Sequence, residues 1–93
     1  MKEALPIFEL GRVVASAAVA QFVDQFSLDV TPILRRHHAG DWGEVGKEDW
    51  ESNEAGLKNG GRLLSAYDLS GHRVWVITEA DRSATTILFP DDY

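Results

Sequence analysis

Residues 62–89 hold three runs rich in β-branched, aromatic and aliphatic side chains, separated only by short turns. No other feature restricts the fold of this chain as much. The first run carries Leu63, Leu64, Ala66, Tyr67 and Leu69, and Ser70-Gly71 supplies a hairpin-type turn. Val74-Trp75-Val76-Ile77-Thr78 reads as the central strand, residues 80–83 as the next turn, and residues 84–89 as a last strand stopped by Pro90, which cannot donate to a ladder. Connections this short join antiparallel neighbours. A meander of this kind has an apolar face that needs a cover, so helices are expected upstream.

Phe8, Leu10, Arg12 and Val14 alternate with Glu9, Gly11 and Val13, a period of two that predicts a first strand over residues 7–15. Ser16 stands as an N-cap before Ala17, Ala18 and Ala20. With Phe22, Val23 and Phe26 as an apolar face, this predicts a helix over residues 17–26. Thr31-Pro32, a hydroxyl cap followed by proline at the first helical position, starts a second helix over residues 32–38. Arg35, Arg36, His37 and His38 fall in its last turn, where positive charge opposes the negative helix end, and Gly40 closes it. From Glu48, the spacing of Trp50, Glu54 and Leu57 predicts a third helix to Lys58, stopped by Asn59-Gly60-Gly61. The expectation is an α+β fold in one domain over residues 1–93. Its order is β-α-α-α-β-β-β, with an antiparallel sheet covered by helices. Leu63, Tyr67, Trp75, Ile77, Ile87 and Phe89 are expected to be buried against the first two helices.

Charge and composition narrow the function. The chain has 15 acidic and 9 basic residues, a formal net charge of −6, and no cysteine, which excludes a disulfide framework and thiolate metal sites. A chain this acidic is poorly suited to direct nucleic-acid binding, which needs Lys and Arg to displace counterions from phosphates. The same charge suits a basic protein surface, and it also serves simple solubility. Met1-Lys2-Glu3 with an early Pro6 does not have the form of a signal peptide, and the apolar stretch over residues 13–23 is too short to span a membrane. A cytoplasmic protein with no membrane partner is expected. There is no phosphate-binding glycine loop, dinucleotide fingerprint, nucleophile elbow or H-E-x-x-H, so no cofactor and no metal is expected.

Three groups of residues can carry function. Residues 41–54 hold Asp41, Glu44, Glu48, Asp49, Glu51 and Glu54 against Lys47 alone, a local net of −5, with Trp42 and Trp50 embedded. Tryptophan among acids serves either as core or as a partner anchor. His37 and His38 beside Asp41 are candidate acid or base groups, although neighbours on a helix diverge by about 100° and are equally explained as helix-end cations. In the turn that follows the central strand, Glu79 or Asp81 can act as a base and Arg82 as a phosphate or oxyanion clamp. The same residues also suit a turn closed by Asp81 and Ser83, with Arg82 paired to a carboxylate.

Gly40-Asp41-Trp42-Gly43, Asn53, Arg62-Leu63-Leu64-Ser65-Ala66-Tyr67, the run Ile77-Thr78-Glu79-Ala80-Asp81-Arg82-Ser83-Ala84-Thr85-Thr86-Ile87-Leu88, Pro90 and Tyr93 together resemble a family of small bacterial proteins borne on plasmids, prophages and other mobile elements. The segment after Ala15 departs from the Thr-Pro-Gly helix start usual in that family. Some members carry the label of a type I restriction subunit M. This chain is too short for a methyltransferase and lacks both the methyl-donor glycine loop and an Asn-Pro-Pro-Tyr-type motif. The resemblance implies a mobile-element origin and brings no chemistry of its own. Joined to the acidic segment, it leads to the expectation of an inhibitor of host defence, anti-CRISPR or anti-restriction. Such an inhibitor would bind the basic nucleic-acid-binding surface of a host protein complex, as a DNA mimic in one version. The alternative is a small metal-independent ribonuclease resembling barnase- and RelE-like folds, with His37, His38, Glu79 and Arg82 as its catalytic set. That reading needs Arg35, Arg36, Arg62, Arg73 and Arg82 on one concave face.

Overall fold

A computed structural model describes residues 5–93. Strand β1 (Arg12–Ala15) is followed by helices α1 (Ala17–Phe26), α2 (Thr31–His38) and α3 (Lys47–Asn59). Strands β2 (Leu63–Leu69), β3 (His72–Thr78) and β4 (Ala84–Leu88) follow, with a closing 3-10 turn at Pro90–Asp92. The fold is α+β in the expected order. No helix among the described residues is long and apolar enough to cross a membrane.

The sheet runs β1-β4-β3-β2 and is mixed, which corrects the expectation of a purely antiparallel one. The meander strands are antiparallel, with Tyr67 opposite Val74 and Val76 opposite Ile87, because hairpin turns leave no other choice. β1 pairs parallel with β4. It is joined to the meander through all three helices, so no hairpin dictates its direction. The first strand is also shorter than its alternation implied. Gly11 adopts φ +65°, and a Cβ there would overlap the Arg82 and Ser83 backbone, so the ladder begins only at Arg12. The preceding residues run beside α2, with the Ile7 amide donating to the His38 carbonyl at 3.0 Å.

The caps follow local chemistry. Ser16 accepts from the Val19 amide at 3.2 Å and starts α1 as expected. At α2 the capping oxygen comes from Asp29, which accepts from the Thr31 amide at 2.9 Å, and not from the Thr31 hydroxyl. That bond holds the Asp29 carboxyl below its usual range.

Pleating divides the expected core between two faces. Val19 and Ile33 from α1 and α2 pack on Tyr67, Leu69, Val74, Val76 and Ile87, with Phe89 at the margin. Trp75 and Ile77 alternate with Val74 and Val76 and therefore point to the opposite face. Trp75 is only half-buried there, a correction to its placement under the helices. The chain end covers it: the Tyr93 ring meets Trp75 edge-on at 5.8 Å, and the Arg62 guanidinium lies 5.6 Å from the Tyr93 centroid.

The exposed edge of β2 is closed by side chain and loop. The buried Asn53 amide donates to the Leu64 carbonyl at 2.7 Å and accepts from the Leu64 amide at 2.9 Å, standing in for a neighbouring strand. The Trp42 carbonyl and Glu44 amide then hold Ala66 at 3.0 and 2.8 Å. Gly43 makes this approach possible, since at φ +72° a Cβ would overlap the Ala66 carbonyl oxygen and crowd the Tyr67 ring. An edge occupied in this way cannot template pairing with another chain.

Candidate functional site

His37 is fully enclosed, at 0% exposure, and its surroundings dictate its tautomer. The Thr85 hydroxyl donates to the Leu10 carbonyl at 2.7 Å, so Thr85 Oγ1 must accept from Thr78, 2.7 Å away. Thr78 Oγ1 has then used its proton and accepts from His37 Nε2–H at 2.8 Å. His37 Nδ1 is left as an acceptor for the Ser65 hydroxyl at 2.6 Å. Five groups from α2, β2, β3, β4 and the N-terminal segment form one directed chain, with a neutral imidazole at its centre. Burial, with His38 and Arg82 as nearby positive groups, pulls the His37 pKa down to about 4. Both ring nitrogens are thus occupied, in a site closed to solvent. His38 points elsewhere, with Nε2 donating to the Phe8 carbonyl at 2.8 Å.

Arg82 does not meet a carboxylate, which corrects the expected pairing. Its guanidinium donates to the carbonyls of Gly61 at 2.6 Å, Glu79 at 3.0 Å, Gly56 at 3.1 Å and Ala80 at 3.2 Å. It ties the end of α3 and the Gly61 carbonyl to the β3–β4 turn, sharing the Gly56 carbonyl with the Gly60 and Gly61 amides. Glu79 is instead 3.6 Å from Arg62. The Ser83 amide donates to Asp81 at 3.0 Å, the turn closure the sequence implied. His37, His38 and Arg82 of the catalytic alternative thus gather around the Phe8 ring, at 5.2, 5.6 and 5.8 Å, but each spends its polar atoms on a different set of partners, and Glu79 meets Arg82 only through its backbone carbonyl. Of the arginines that the nuclease reading needs, Arg36, Arg62, Arg73 and Arg82 are each held by partners within the fold. Among the described residues, no three His, Asp or Glu side chains gather closely enough to hold a metal ion.

The acidic segment divides in two. Asp41 accepts from Arg36 at 2.7 Å and 3.3 Å, which holds its carboxyl below the usual range. The Tyr67 hydroxyl donates to the Asp41 carbonyl. Glu44 lies 3.5 Å from Arg73, and Glu54 accepts from the Trp42 indole at 2.9 Å. Trp42 itself is 2% exposed, packed against the rings of Phe8 and His37. Its place as a partner anchor is corrected: the turn at Gly40-Asp41-Trp42-Gly43 inserts it into the core.

The other half is free. Glu48, Asp49 and Glu51 are exposed on the first turns of α3 and form no ion pair among the described residues. Trp50 lies between them at 51% exposure. Acidic side chains at a helix start are favoured by the macrodipole, which explains their local stability. It does not explain an exposed indole beside them. What survives is the exposed first turn of α3: Trp50 with three carboxylates that form no ion pair, Glu48 and Glu51 on one side and Asp49 turned away from them, on a helix anchored by Asn53 and Gly56.

Sequence reasoning missed Asn53 as an edge plug and Ser65, Thr78 and Thr85 as partners of His37. The signal available was parity: Ser65, Thr78 and Thr85 occupy positions that face the helices. Comparison with family models, curated proteins and solved structures finds no match for the chain.

Proposed function

We propose that the protein is a small acidic binding protein whose working surface is Glu48, Asp49, Trp50 and Glu51. Its partner on this reading is the basic, nucleic-acid-binding surface of a host complex. The observation that carries the reading is Trp50, half-exposed among carboxylates that lack partners, while Asp41, Glu44 and Glu54 are each engaged within the fold by Arg36, Arg73 and the Trp42 indole. The carboxylates would steer the encounter with a Lys- and Arg-lined channel, and the indole would supply the buried apolar contact that charge alone does not. With the mobile-element resemblance, this makes an inhibitor of host defence the favoured biological role, anti-CRISPR or anti-restriction. DNA mimicry is its physical form.

The test is a plasmid-interference assay in hosts carrying a CRISPR or restriction system, with pull-down of the inhibited complex. Trp50→Ala and Glu48→Lys/Glu51→Lys should each abolish inhibition and capture. Trp50→Ala, at an exposed position, should leave the thermal transition nearly unmoved, and Glu48→Lys/Glu51→Lys should cost no more than about 1 kcal/mol, the charge favoured at the helix start being reversed. Binding by the wild type should weaken steeply with salt. Full inhibition by both variants, or no inhibition by the wild type in any such host, would sink the proposal.

A further inference from the structure

The two edges of the sheet are treated differently. β2 is plugged at Leu64 and Ala66, while nothing among the described residues covers β1. The Arg12 amide donates to the carbonyl of Ser83, just before β4, at 3.0 Å, and the Ser16 amide to that of Ile87 in β4 at 2.9 Å. In a parallel ladder these alternate residues turn their backbone groups toward the neighbour, so the N–H and C=O groups of Val13 and Ala15 face outward. All four residues of β1 are exposed, Val13 at 42% and Val14 at 37%. The strand has no proline or bulge to block pairing; its only charge is Arg12 at one end, and at four residues it is short.

We infer that β1 is the pairing edge of a homodimer, in which two copies join β1 to β1 antiparallel about a two-fold axis and continue the sheet. The outward groups choose the register. With the axis at Val14, Val13 lies opposite Ala15 of the second copy, and each such pair exchanges two backbone hydrogen bonds. Val14 then meets Val14 in a non-hydrogen-bonded pair, where side chains approach most closely.

The charges agree with this arrangement. Arg12 has no ion pair among the described residues. In this register it stands opposite Ser16 of the second copy, and the Ser16 hydroxyl already donates to Asp92 at 2.8 Å. Arg12, Ser16 and Asp92 share the sheet face that the chain end covers. Each copy therefore brings a cation at one end of β1 and an anion at the other, and the two-fold axis sets them against each other twice. An unrelated extended peptide would satisfy the hydrogen bonds. The charge pattern is self-complementary, and this selects a second copy of the chain.

A pairing of four-residue strands belongs with small, transient interfaces, so it is best read by sedimentation velocity from about 10 µM to about 1 mM. The weight-average mass of the wild type should rise toward twice the monomer. Val14→Lys, which sets two lysines face to face, and Arg12→Asp, which faces Asp92, should each weaken dimerisation at least tenfold. The exchange Arg12→Asp/Asp92→Arg should restore it to within about threefold. Hydrogen exchange on the wild type gives a second readout that needs no variant to fold. The Val13 and Ala15 amides should become protected as concentration rises, while those of Arg12 and Val14 stay constant. A wild type that remains monomeric throughout overturns the inference. So does a dimer that forms with Val13 and Ala15 still exchanging freely or that persists in Val14→Lys.

Discussion

Acidification offers a direct test of the buried chain through His37. In the folded protein its pKa is about 4, against an ordinary 6.5. Between these values the unfolded chain binds a proton that the folded chain refuses, so stability falls as pH falls. The contribution is complete above about pH 6.5 and is lost as pH drops through that value toward 4. A difference of about 2.5 units corresponds to about 3 kcal/mol in all, and about 2 kcal/mol of it is already gone at pH 5. At pH 5 Asp29, Asp41 and Asp81, all held below their usual range by hydrogen bonds, are still ionised and do not confuse the measurement. The assay is urea unfolding by tryptophan fluorescence at pH 7.5 and pH 5. His37→Gln supplies the control: it cannot take up a proton, so it should be less stable than wild type at pH 7.5 by about 2 kcal/mol for its weakened hydrogen bonds. It should show little loss on acidification, so that the two proteins converge near pH 5. A wild type that loses less than about 0.5 kcal/mol, or a variant with the same pH slope, would refute the neutral, doubly bonded imidazole.

Further outcomes follow from the contacts around it. Gly43→Ala should cost about 3 kcal/mol or more in denaturant melts, because its Cβ overlaps the Ala66 carbonyl oxygen at a backbone angle alanine avoids. Asn53→Ala should lower stability by about 2–3 kcal/mol and, by unplugging the β2 edge, increase light scattering on storage at high concentration. Arg82→Lys, which keeps the charge but loses the fork that reaches four carbonyls, should cost about 1–2 kcal/mol by chemical denaturation.

Local signals were enough for the order of elements. Ser16 before an alanine-rich stretch, Pro32 at a helix start, Gly60 after α3 and the Ser70-Gly71 turn each act through a few neighbouring backbone groups, so the sequence reveals them directly. The candidate site was legible in outline. The acids and both tryptophans were visible, but not which of them remain free, because that depends on residues distant in the chain such as Arg73, which meets Glu44 only when β3 lies beside the loop.

By itself, the sequence determined the Ser16 cap of α1, the glycine stop of α3, the hairpins and the presence of a charged, tryptophan-bearing segment, all consequences of short-range stereochemistry and composition; the Thr31 cap was misplaced, since Asp29 supplies the oxygen there. Tertiary structure decided which face of the meander each aromatic occupies, since the pleat sends Trp75 away from Val74 and Val76. It also decided the direction of β1, which no hairpin constrains, and the hydrogen-bond partners of His37, Asn53 and Arg82. The division has one physical cause. A cap or turn is satisfied by atoms a few bonds away, whereas a buried polar group finds its partner only after separate strands and helices have packed together.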